Sequence, residues 1–427
     1  MTFRQISWVL DKRLEGKSVS IRGWVYRKRD QKELIFLVIR DSSDIIQAVV
    51  KKDSKAWKEA EKITIESSCE LTGTIREDKR APTGFELQVT DLKIIGLAER
   101  FPISKDVSDE FLLDIRHLSV RSQKLQQVFK IRSTVFTAFR EFFLQKGYFE
   151  THSPFLTRTS ESGLELFEVD YYGKKVRLAQ TWQFYAEAML PVLEKIFTIA
   201  PSFRAEKSKT ARHLTEYWHG EMEAAWMELD ELAKVCEELI SYICQKVAKE
   251  CAKELKILGR DPEKFARIRP PFPRMTYREA LTLLKKDGMV VPFGKDLRTP
   301  EEKQITTHFD KPVIVTHYPK AVMAFYKQKD PKDPKVALCL DVLVPETGFE
   351  IIGGSVRDLD IAEMKKILKA KGEDPKDYDW YFDTRRYGAV PHAGFGMGMD
   401  RIVQWICGLE SIKDAIPFPR TPERVEP

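Results

Sequence analysis

Charged and aromatic side chains that could bind a nucleotide are concentrated in one stretch near the middle of the chain. Residues 203–226 read FRAEKSKTARHLTEYWHGEMEAAW. Arg204 and Glu206 are two residues apart, so both would lie on one face of a strand. An arginine can donate two hydrogen bonds to a phosphate, and a carboxylate can accept one from an exocyclic amine. Tyr217 adds a ring for stacking. A surface hairpin could also contain Arg-x-Glu, but the whole pattern favours a nucleotide site.

Small residues and a second arginine occur together near the end of the chain. The segment HAGFGMGMDRIVQWICGL, residues 392–409, reads as a glycine-rich strand that continues into a helix opening near Arg401. Glycines allow a ligand to approach the backbone of a sheet closely. The same spacing occurs in Rossmann phosphate loops, but no βαβ unit accompanies it here. We therefore expect Arg401 to face the same nucleotide site.

Two carboxylates and an arginine lie in the segment CLDVLVPETGFEIIGGSVRD, residues 339–358. Asp341 and Glu350 fall on successive predicted strands. Carboxylates beside nucleotide phosphates are typical Mg²⁺ ligands, although ordinary acids at strand edges would look the same. Arg357 follows a Gly-Gly pair and could bind a small carboxylate.

The first hundred residues predict a small β-barrel. Short alternating segments and one helical segment (54–63) are separated by turn residues, in the order β-β-β-α-β-β that is typical of an OB-fold. A generic β-sandwich is the alternative. The strands are predicted at 19–27, 34–41, 45–50, 67–78 and 85–95.

The rest of the chain predicts an α+β domain built on an antiparallel sheet, because strands and helices alternate without a βαβ rhythm. Helices are predicted at 125–147, 226–256 and 360–371, strands at 148–156, 337–343 and 348–354, and strand-rich stretches at 164–179 and 195–204. We expect domains over residues 1–100 and 121–427, joined by a linker over 101–120.

Composition narrows the function classes. The net charge is +6, and residues 1–100 contain 20 basic and 16 acidic side chains, which is compatible with RNA binding by the barrel. The six cysteines form no CxxC pair, so neither a zinc site nor a disulfide framework is expected. The sequence shows no signal peptide and no apolar run of membrane length, so we expect a soluble, cytoplasmic protein without membrane association.

These segments together resemble the three ordered motifs of the class II aminoacyl-tRNA synthetases. Residues 203–226 resemble motif 2, residues 392–409 resemble motif 3, and the long helix with YFETHSPFL resembles motif 1. With the N-terminal barrel, the chain is similar over its full length to the aspartyl/asparaginyl branch. Its compact length and its tail, IPFPRTPERVEP, are similar to archaeal members.

The resemblance implies a role for each matching residue. The substrates would be ATP, an amino acid and tRNA, with Mg²⁺ as the metal and a homodimer as the assembly, in which Pro154 would lie at the dimer interface. Catalysis would depend on Arg204, Arg401 and Glu350. ATP would be bound by Arg204, Glu206, Arg212, His213, Tyr217, Glu350 and Arg401; the metal by Asp341 and Glu350; the amino acid by Glu161, Gln183, Glu221 and Arg357; and the anticodon by Arg27, Phe36 and Gln47.

The choice of amino acid depends on charge. Aspartyl members carry a lysine that pairs with the substrate carboxylate, and this chain has Ala186 there. Their returning motif 2 strand carries Asp-x-Glu, whereas this chain has Glu221-x-Glu223. Both differences make the pocket less positive and favour asparagine. The alternatives are an aspartyl enzyme that charges both tRNAs, an asparagine synthetase paralogue, which usually lacks the barrel, and a non-catalytic RNA-binding paralogue, which would have lost the motif arginines.

Three other residues depart from the usual pattern of the family. Trp182 is larger than the residue normally found there, Asp400 replaces a glutamate before the motif 3 arginine, and Gly353 lacks the hydroxyl that aspartyl relatives often carry near the metal. In the barrel, the resemblance implies that Phe36 stacks on the central uridine of the anticodon. A core aromatic is the alternative for Phe36.

Overall fold

The computed structural model describes residues 2–104, 106–159, 165–207 and 213–427. The chain forms two compact units, residues 1–112 and 113–427. Two short helices, Asp109–Asp114 and Arg116–Ser119, fall within the segment expected to be a linker. The domain bounds 1–100, 101–120 and 121–427 remain predictions.

The first unit is a closed barrel of the OB type. Its strands are β1 (Phe3–Arg4), β2 (Ser18–Asp30), β3 (Leu34–Arg40), β4 (Ile45–Lys51), β5 (Ser68–Glu77) and β6 (Phe85–Gly96). They follow the order β1-β2-β3-β4-β6-β5, and pairing of β2 with β5 closes the sheet. Alternate residues of each strand, such as Ile35, Leu37 and Ile39, are buried in the barrel interior, as the period of two predicts.

Two helices accompany the barrel. They are α1 (Ile6–Val9) and α2 (Trp57–Lys62). α2 follows β4, as the sequence predicts, and its Ala60 is buried in the barrel core. The predicted helix over 54–63 is thus three residues longer at its start than the helix in the structure.

The second unit contains an eight-stranded, mainly antiparallel sheet. Its order is β13-β14-β15-β16-β17-β12-β11-β7, with parallel pairs only at β13–β14 and β11–β7 among the described residues. Three further strands form a small sheet, in the order β8-β10-β9. The strands of this unit are β7 (Phe149–Glu150), β8 (Leu156–Thr157), β9 (Glu168–Tyr171), β10 (Lys174–Leu178), β11 (Lys195–Phe203), β12 (Glu216–Ala225), β13 (Arg274–Thr276), β14 (Val313–Thr316), β15 (Cys339–Leu343), β16 (Glu350–Val356) and β17 (His392–Gly398).

Helices cover the sheet of the second unit. The long helix α5 (Gln123–Gln145) is capped by Ser122, whose hydroxyl accepts from the backbone N–H of Leu125 in the first turn. Phe139 and Phe143 of α5 pack in one core with α7 (Leu229–Glu250) and α14 (Met399–Cys407). The helices in chain order are α3 (Asp109–Asp114), α4 (Arg116–Ser119), α5 (Gln123–Gln145), α6 (Gln183–Leu193), α7 (Leu229–Glu250), α8 (Ala252–Ile257), α9 (Pro262–Ala266), α10 (Tyr277–Lys286), α11 (Thr299–Thr306), α12 (Ile361–Ala370), α13 (Asp379–Arg386) and α14 (Met399–Cys407).

The strand register brings the predicted site residues onto one face of this sheet. Asp341 lies opposite Gly353, Gly353 opposite Gly396, and Gly396 opposite Glu221. Two glycines therefore separate two carboxylates in a single row across four strands. Residues of the opposite face, such as Met222, are buried in the helix-packed core.

The motif 2 hairpin differs from its prediction in one respect. β11 ends at Phe203, so Arg204 and Glu206 lie beyond the strand rather than on it. The N–H of Arg204 still donates to Thr215 O at 2.9 Å, but the next N–H, that of Ala205, turns to Glu165 O at 3.1 Å. The expectation that a strand holds both side chains on one face is therefore wrong.

The six cysteines are free and buried. Cys236, Cys244 and Cys251 belong to the main core of the second unit, in agreement with a packing role. Within the described part of the chain, no helix combines the length and the apolar character needed to cross a membrane.

Candidate active site

Five of the predicted ATP-site residues line one cavity. The cavity lies over the carboxyl end of β17 and the start of α14. The predicted residues at its wall are Arg204, His213, Tyr217, Glu350 and Arg401, and they are joined there by His219, Gly396, Gly398 and Asp400. Residues from motif 2, motif 3 and the β16 strand therefore share one pocket.

Arg401 is oriented by the β16 strand. Its Nη1 donates to the backbone oxygen of Glu350 at 2.9 Å and lies 3.6 Å from Glu350 Oε2. The side chain is only partly exposed, which keeps the guanidinium at the cavity wall. Arg204 also lines the cavity, with its Cζ 5.6 Å from the centre of the Tyr217 ring. The pocket thus presents two guanidinium groups and an aromatic face.

Asp341 and Glu350 lie together above Gly353. A Cβ at Gly353 would stand 2.7 Å from Glu350 Oε1 and 3.5 Å from Asp341 Oδ1, so the two carboxylates converge on the space that a larger residue would fill. Burial raises the pKa of Asp341 well above its usual value, and the neighbouring Glu350 adds to that shift. Hard oxygen donors that repel each other in this way fit Mg²⁺. The same geometry explains why position 353 is a glycine, because a side chain there would displace Glu350.

Glu206 is the one predicted ATP-site residue in the described part of the chain that does not line this cavity. Glu206 is half-buried in the segment that follows β11. Glu161 and Arg212 lie outside the described residues. Their predicted roles toward ATP and the amino acid remain predictions.

The glycines of β17 make room for side chains of β12. A Cβ at Gly396 would stand 2.3 Å from His219 Nε2, and one at Gly394 would stand 2.0 Å from Glu223 Oε2. Gly394 and Gly396 therefore leave room for the side chains of Glu223 and His219 to lie against β17. Gly396 and Gly398 also lie at the cavity wall, and the approach of a ligand to this strand stays a prediction.

Glu221 is held firmly at the floor of the site. Its carboxylate accepts from Thr181 Oγ1 and from the backbone N–H of Trp182, the latter at 2.9 Å, and lies 3.3 Å from His219 Nδ1. Burial alone would raise the pKa of Glu221, but the nearby His219 and these hydrogen bonds outweigh it, so the pKa is lowered. Glu221 therefore remains an ionised acceptor in a buried pocket.

Glu223 and Arg357 form a buried, bidentate ion pair. Arg357 Nε donates to Glu223 Oε1 at 2.9 Å and Nη2 donates to Oε2 at 2.8 Å, while Nη1 donates to Ser355 Oγ at 2.8 Å. Only 4% of the Arg357 side chain and 1% of the Glu223 side chain are exposed. Although burial opposes it, Glu223 raises the pKa of Arg357. The positive charge of Arg357 is thus already matched before any substrate binds.

A second buried ion pair, Glu187–Arg385, adjoins the first. The Glu187 carboxylate contacts Arg385 Nη2 and accepts from Tyr381 at 2.8 Å, from Gln183 Nε2 at 2.8 Å and from His392 Nε2 at 2.9 Å. Burial works against it, but Arg385 and His392 lower the pKa of Glu187. The candidate ammonium ligand Gln183 is therefore positioned by a carboxylate on the next turn of α6.

Glu187, Glu223 and His392 have ligand atoms within 4.8 Å of one another, a spacing that could hold a metal ion. The two carboxylates are, however, paired with arginines, and His392 Nδ1 faces Val390 O at 2.8 Å. A cation at this point would have to displace an arginine. The cluster therefore fits an ion-pair network better than a metal centre.

The larger residue at position 182 does not intrude on the site. The Trp182 ring is buried in a small apolar cluster with Ala186, Leu190 and Ile196, and only its backbone N–H reaches Glu221. Ala186 is buried in the same cluster, so this position contributes packing rather than charge. The departure from the family pattern therefore leaves the polar floor of the pocket intact.

Asp400 connects the two predicted arginine motifs to the long helix α5. It accepts from the backbone N–H of Trp218 at 2.8 Å and from Arg132 Nη1, which also donates to Ala415 O at 3.0 Å. Burial raises the pKa of Asp400, against the effect of Arg132. The shorter acid is thus accommodated by an arginine from motif 1.

The predicted anticodon residues share the outer face of the barrel. Val38 of β3 lies opposite Arg27 of β2 and opposite Gln47 of β4, and Phe36 is two residues away on the same face. Phe36 is half-buried rather than part of the core, with Arg29 Cζ 4.7 Å from its ring centre. Gln47 Nε2 donates to Glu86 Oε2 at 3.2 Å.

Sequence reasoning did not single out several residues that shape the site. His219 could have been predicted, because it precedes Glu221 by two residues on the same strand and must share its face. Thr181 and Glu187 carry no motif of their own, and Arg385 and Tyr381 come from a distant helix. Only the tertiary fold brings these to the pocket.

Comparisons with known proteins agree with this architecture. Residues 108–422 match the family "tRNA synthetases class II (D, K and N)", and residues 19–95 match the "OB-fold nucleic acid binding domain" family. The asparagine–tRNA ligase of Thermoplasma acidophilum is 46% identical over 99% of both chains, and that of Thermococcus kodakarensis is 46% identical over 97% of both. A crystal structure of asparaginyl-tRNA synthetase from Pyrococcus horikoshii complexed with asparaginyl-adenylate matches all of both chains, with a TM-score of 0.95 and 43% identity. The chain is therefore an enzyme of the class II tRNA synthetase family, in the group of asparagine–tRNA ligases.

Proposed function

We propose that this enzyme activates asparagine with ATP to give asparaginyl-adenylate and then transfers the asparaginyl group to tRNA. The observation that carries the choice of amino acid is the bidentate pairing of Arg357 with Glu223 next to an ionised Glu221. A carboxylate substrate would meet an arginine that is already paired with Glu223 and the negative charge of Glu221. An amide can accept from Arg357 and donate to Glu221.

In the first step, the α-carboxylate of asparagine attacks the α-phosphorus of ATP and pyrophosphate leaves. No protein nucleophile is required, since positioning and electrostatic stabilisation suffice for such transfers. We infer that Arg204 contacts the α-phosphate and that Tyr217 stacks on adenine. Arg401 would contact the γ-phosphate from the opposite wall, where Glu350 O orients its guanidinium.

Asp341 and Glu350 are the residues that we propose to hold Mg²⁺, on the strength of their converging carboxylate oxygens. When bound, the ion would reduce the repulsion between these acids and the charge of the phosphates. Gln183 is proposed to lie near the substrate ammonium and Glu161 to contact the amino acid, while Glu206, Arg212 and His213 are proposed to contact the nucleotide.

The experiment that tests the proposal is ATP–pyrophosphate exchange with asparagine and with aspartate, followed by charging of tRNA. We expect exchange with asparagine, and exchange with aspartate weaker by roughly a hundredfold or more, because a buried unpaired carboxylate costs several kcal/mol. Exchange with aspartate alone would refute the proposal. Equal exchange with both would indicate an enzyme that charges both tRNAs.

For the barrel, we propose that Phe36 stacks on an anticodon base while Arg27 and Gln47 contact its neighbours. Loss of one stacked base contact costs about 1–3 kcal/mol. We therefore expect Phe36→Ala to raise the KM for tRNA about tenfold or more and to leave amino-acid activation unchanged. A fall in ATP–pyrophosphate exchange in this variant would show instead that Phe36 supports folding.

We also propose a homodimer and a cytoplasmic location. The segment around Pro154 adjoins β7, the edge strand of the large sheet, and exposes Phe149, Phe155 and Leu156. Exposed apolar residues beside an unpaired edge fit a contact with a second copy of the chain. Sedimentation of wild type and Phe155→Asp tests the dimer.

For the cytoplasmic location, the supporting feature is the set of six free cysteines, which fit a reducing compartment.

A further inference from the structure

Two buried arginines lie beside the amino-acid pocket, and each is matched by its own carboxylate. Arg357 pairs with Glu223, and Arg385 pairs with Glu187. The Arg385 side chain is 1% exposed and that of Glu187 is fully buried. With both pairs intact, the four side chains carry no net charge. The zero net charge of this group depends as much on the Glu187–Arg385 pair as on the Glu223–Arg357 pair.

The second pair is close enough to act on the substrate pocket electrostatically. Oxygens of Glu187 and Glu223 lie within 4.8 Å of each other, so the two ion pairs form one network rather than two. Glu187 also binds Gln183, the residue proposed to contact the substrate ammonium. Between side chains as buried as these, a unit charge at such separations is screened less than in water.

His392 also contacts Glu187. Its Nδ1 faces Val390 O at 2.8 Å and its Nε2 faces Glu187 Oε2 at 2.9 Å. Glu187 therefore contacts Arg385, Gln183 and His392 at once, which fixes the position of its carboxylate.

We infer that Glu187 is a specificity-determining residue that acts through charge: its carboxylate cancels the charge of Arg385 behind the pocket, and so denies an aspartate substrate a positive site. The inference rests on the proposed activation of asparagine. Glu187 acts through other residues, so it is a positioning residue rather than a catalytic one. Removal of the Glu187 carboxylate would leave an uncompensated positive charge near Arg357. An aspartate side chain could pair with that charge, which the wild-type pocket does not offer.

The test is the ratio of kcat/KM for asparagine to that for aspartate, measured by ATP–pyrophosphate exchange in purified full-length variants. We expect Glu187→Gln to lower the ratio by roughly tenfold or more, mainly through a lower KM for aspartate, with the KM for ATP unchanged. Arg385→Gln should shift the ratio in the opposite direction, since it leaves an excess negative charge. The double variant Glu187→Gln/Arg385→Gln should recover most of the wild-type ratio.

A purely structural role would not produce effects of opposite sign. The control is Asp383→Asn, which removes an exposed ion pair on the same helix, α13, and should leave the ratio unchanged. If Glu187→Gln does not fold, Arg385→Gln alone still decides, because an unchanged or lower ratio in that variant overturns the inference. An unchanged ratio in folded Glu187→Gln, or a double variant as relaxed as the single one, would also overturn it. Wild-type enzyme that prefers aspartate would instead refute the proposed function.

Discussion

The two ends of the active-site row are built differently. At the nucleotide end, Arg204, Tyr217 and Arg401 are half-buried around a cavity, and part of the motif 2 loop lies outside the described residues. At the amino-acid end, Glu221, Glu223 and Arg357 are buried, and their polar atoms contact named partners at 2.8–3.3 Å.

This difference reflects what each end has to recognise. ATP brings its own charge and a large aromatic surface, so half-exposed arginines and a ring suffice to bind it. Asparagine and aspartate differ by one small group, and a site can reject an isostere only when unmatched polar groups become costly. That cost requires burial, and burial requires every charge of the resting site to be matched.

The largest effect that we expect comes from removing one partner of the buried ion pair at the amino-acid end. Arg357→Met leaves Glu223 buried without its partner, which should destabilise the protein by about 3–5 kcal/mol and reduce kcat/KM for asparagine by roughly a thousandfold or more. Thermal unfolding and ATP–pyrophosphate exchange measure the two effects. The control, Arg386→Met, removes an exposed ion pair and should change stability by less than about 1 kcal/mol. Similar effects of the two variants would contradict the contrast between buried and exposed pairs.

The next effect separates the nucleotide end from the amino-acid end. Arg401→Ala should reduce kcat/KM for ATP by about a hundredfold, because one charged contact to the transferring phosphates is lost. Stability and the binding of asparagine, followed by calorimetry, should change little. Loss of asparagine binding in this variant would mean that the two ends are not separate.

A smaller effect tests how the glycine at position 396 accommodates His219. Gly396→Ala adds a methyl group that would stand 2.3 Å from His219 Nε2, and should destabilise the protein by about 1–3 kcal/mol. The KM for asparagine should rise, because His219 also faces Glu221. The double variant Gly396→Ala/His219→Ala relieves the clash, so it should be more stable than Gly396→Ala alone. No recovery would indicate that the strand backbone is the source of the strain.

The smallest effect concerns the lowered pKa of Glu221. A lowered pKa stabilises the folded protein above the ordinary carboxyl value of 4.5, and this contribution is lost as the pH falls through the folded value. Thr181→Val removes one donor, so it should cost about 1–2 kcal/mol of unfolding free energy at pH 7, and the difference from wild type should shrink below pH 4.5. Denaturant unfolding from pH 7 to pH 3 measures this, and Thr181→Ser, which keeps the hydroxyl, should match wild type. A difference that persists undiminished at pH 3 would point to lost packing instead.

The fold and the nucleotide end could be predicted from sequence because their signals are local. Alternation gives the barrel strands, and the motif 2 and motif 3 segments each carry their arginines within a few residues. Each predicted helix and strand lies within a few residues of one in the structure, with two exceptions. The expected helix 226–256 is divided into α7 and α8 at Cys251, and the expected strand 148–156 is interrupted between β7 and β8, the stretch that includes Pro154.

The amino-acid end could be predicted only in part, because the residues that pair there are far apart in the chain. Glu223 and Arg357 are separated by 134 positions, and Glu187 and Tyr381 by 194. Local patterns do not encode such pairings, whose geometry depends on the packing of α6 and α13 over the sheet. The sequence also does not reveal that the side chains of Glu223 and His219 occupy the space left by the missing side chains of Gly394 and Gly396.

The central claim is that the pocket is built for a neutral amide and against a carboxylate. The most direct test is calorimetric binding of the non-reactive sulfamoyl analogues of asparaginyl- and aspartyl-adenylate to the wild-type enzyme. The two analogues share the adenosine portion, so the difference in Kd reports only on the amino-acid end. We predict that the asparaginyl analogue binds roughly a hundredfold more tightly or better. Equal affinities, or tighter binding of the aspartyl analogue, would contradict the account.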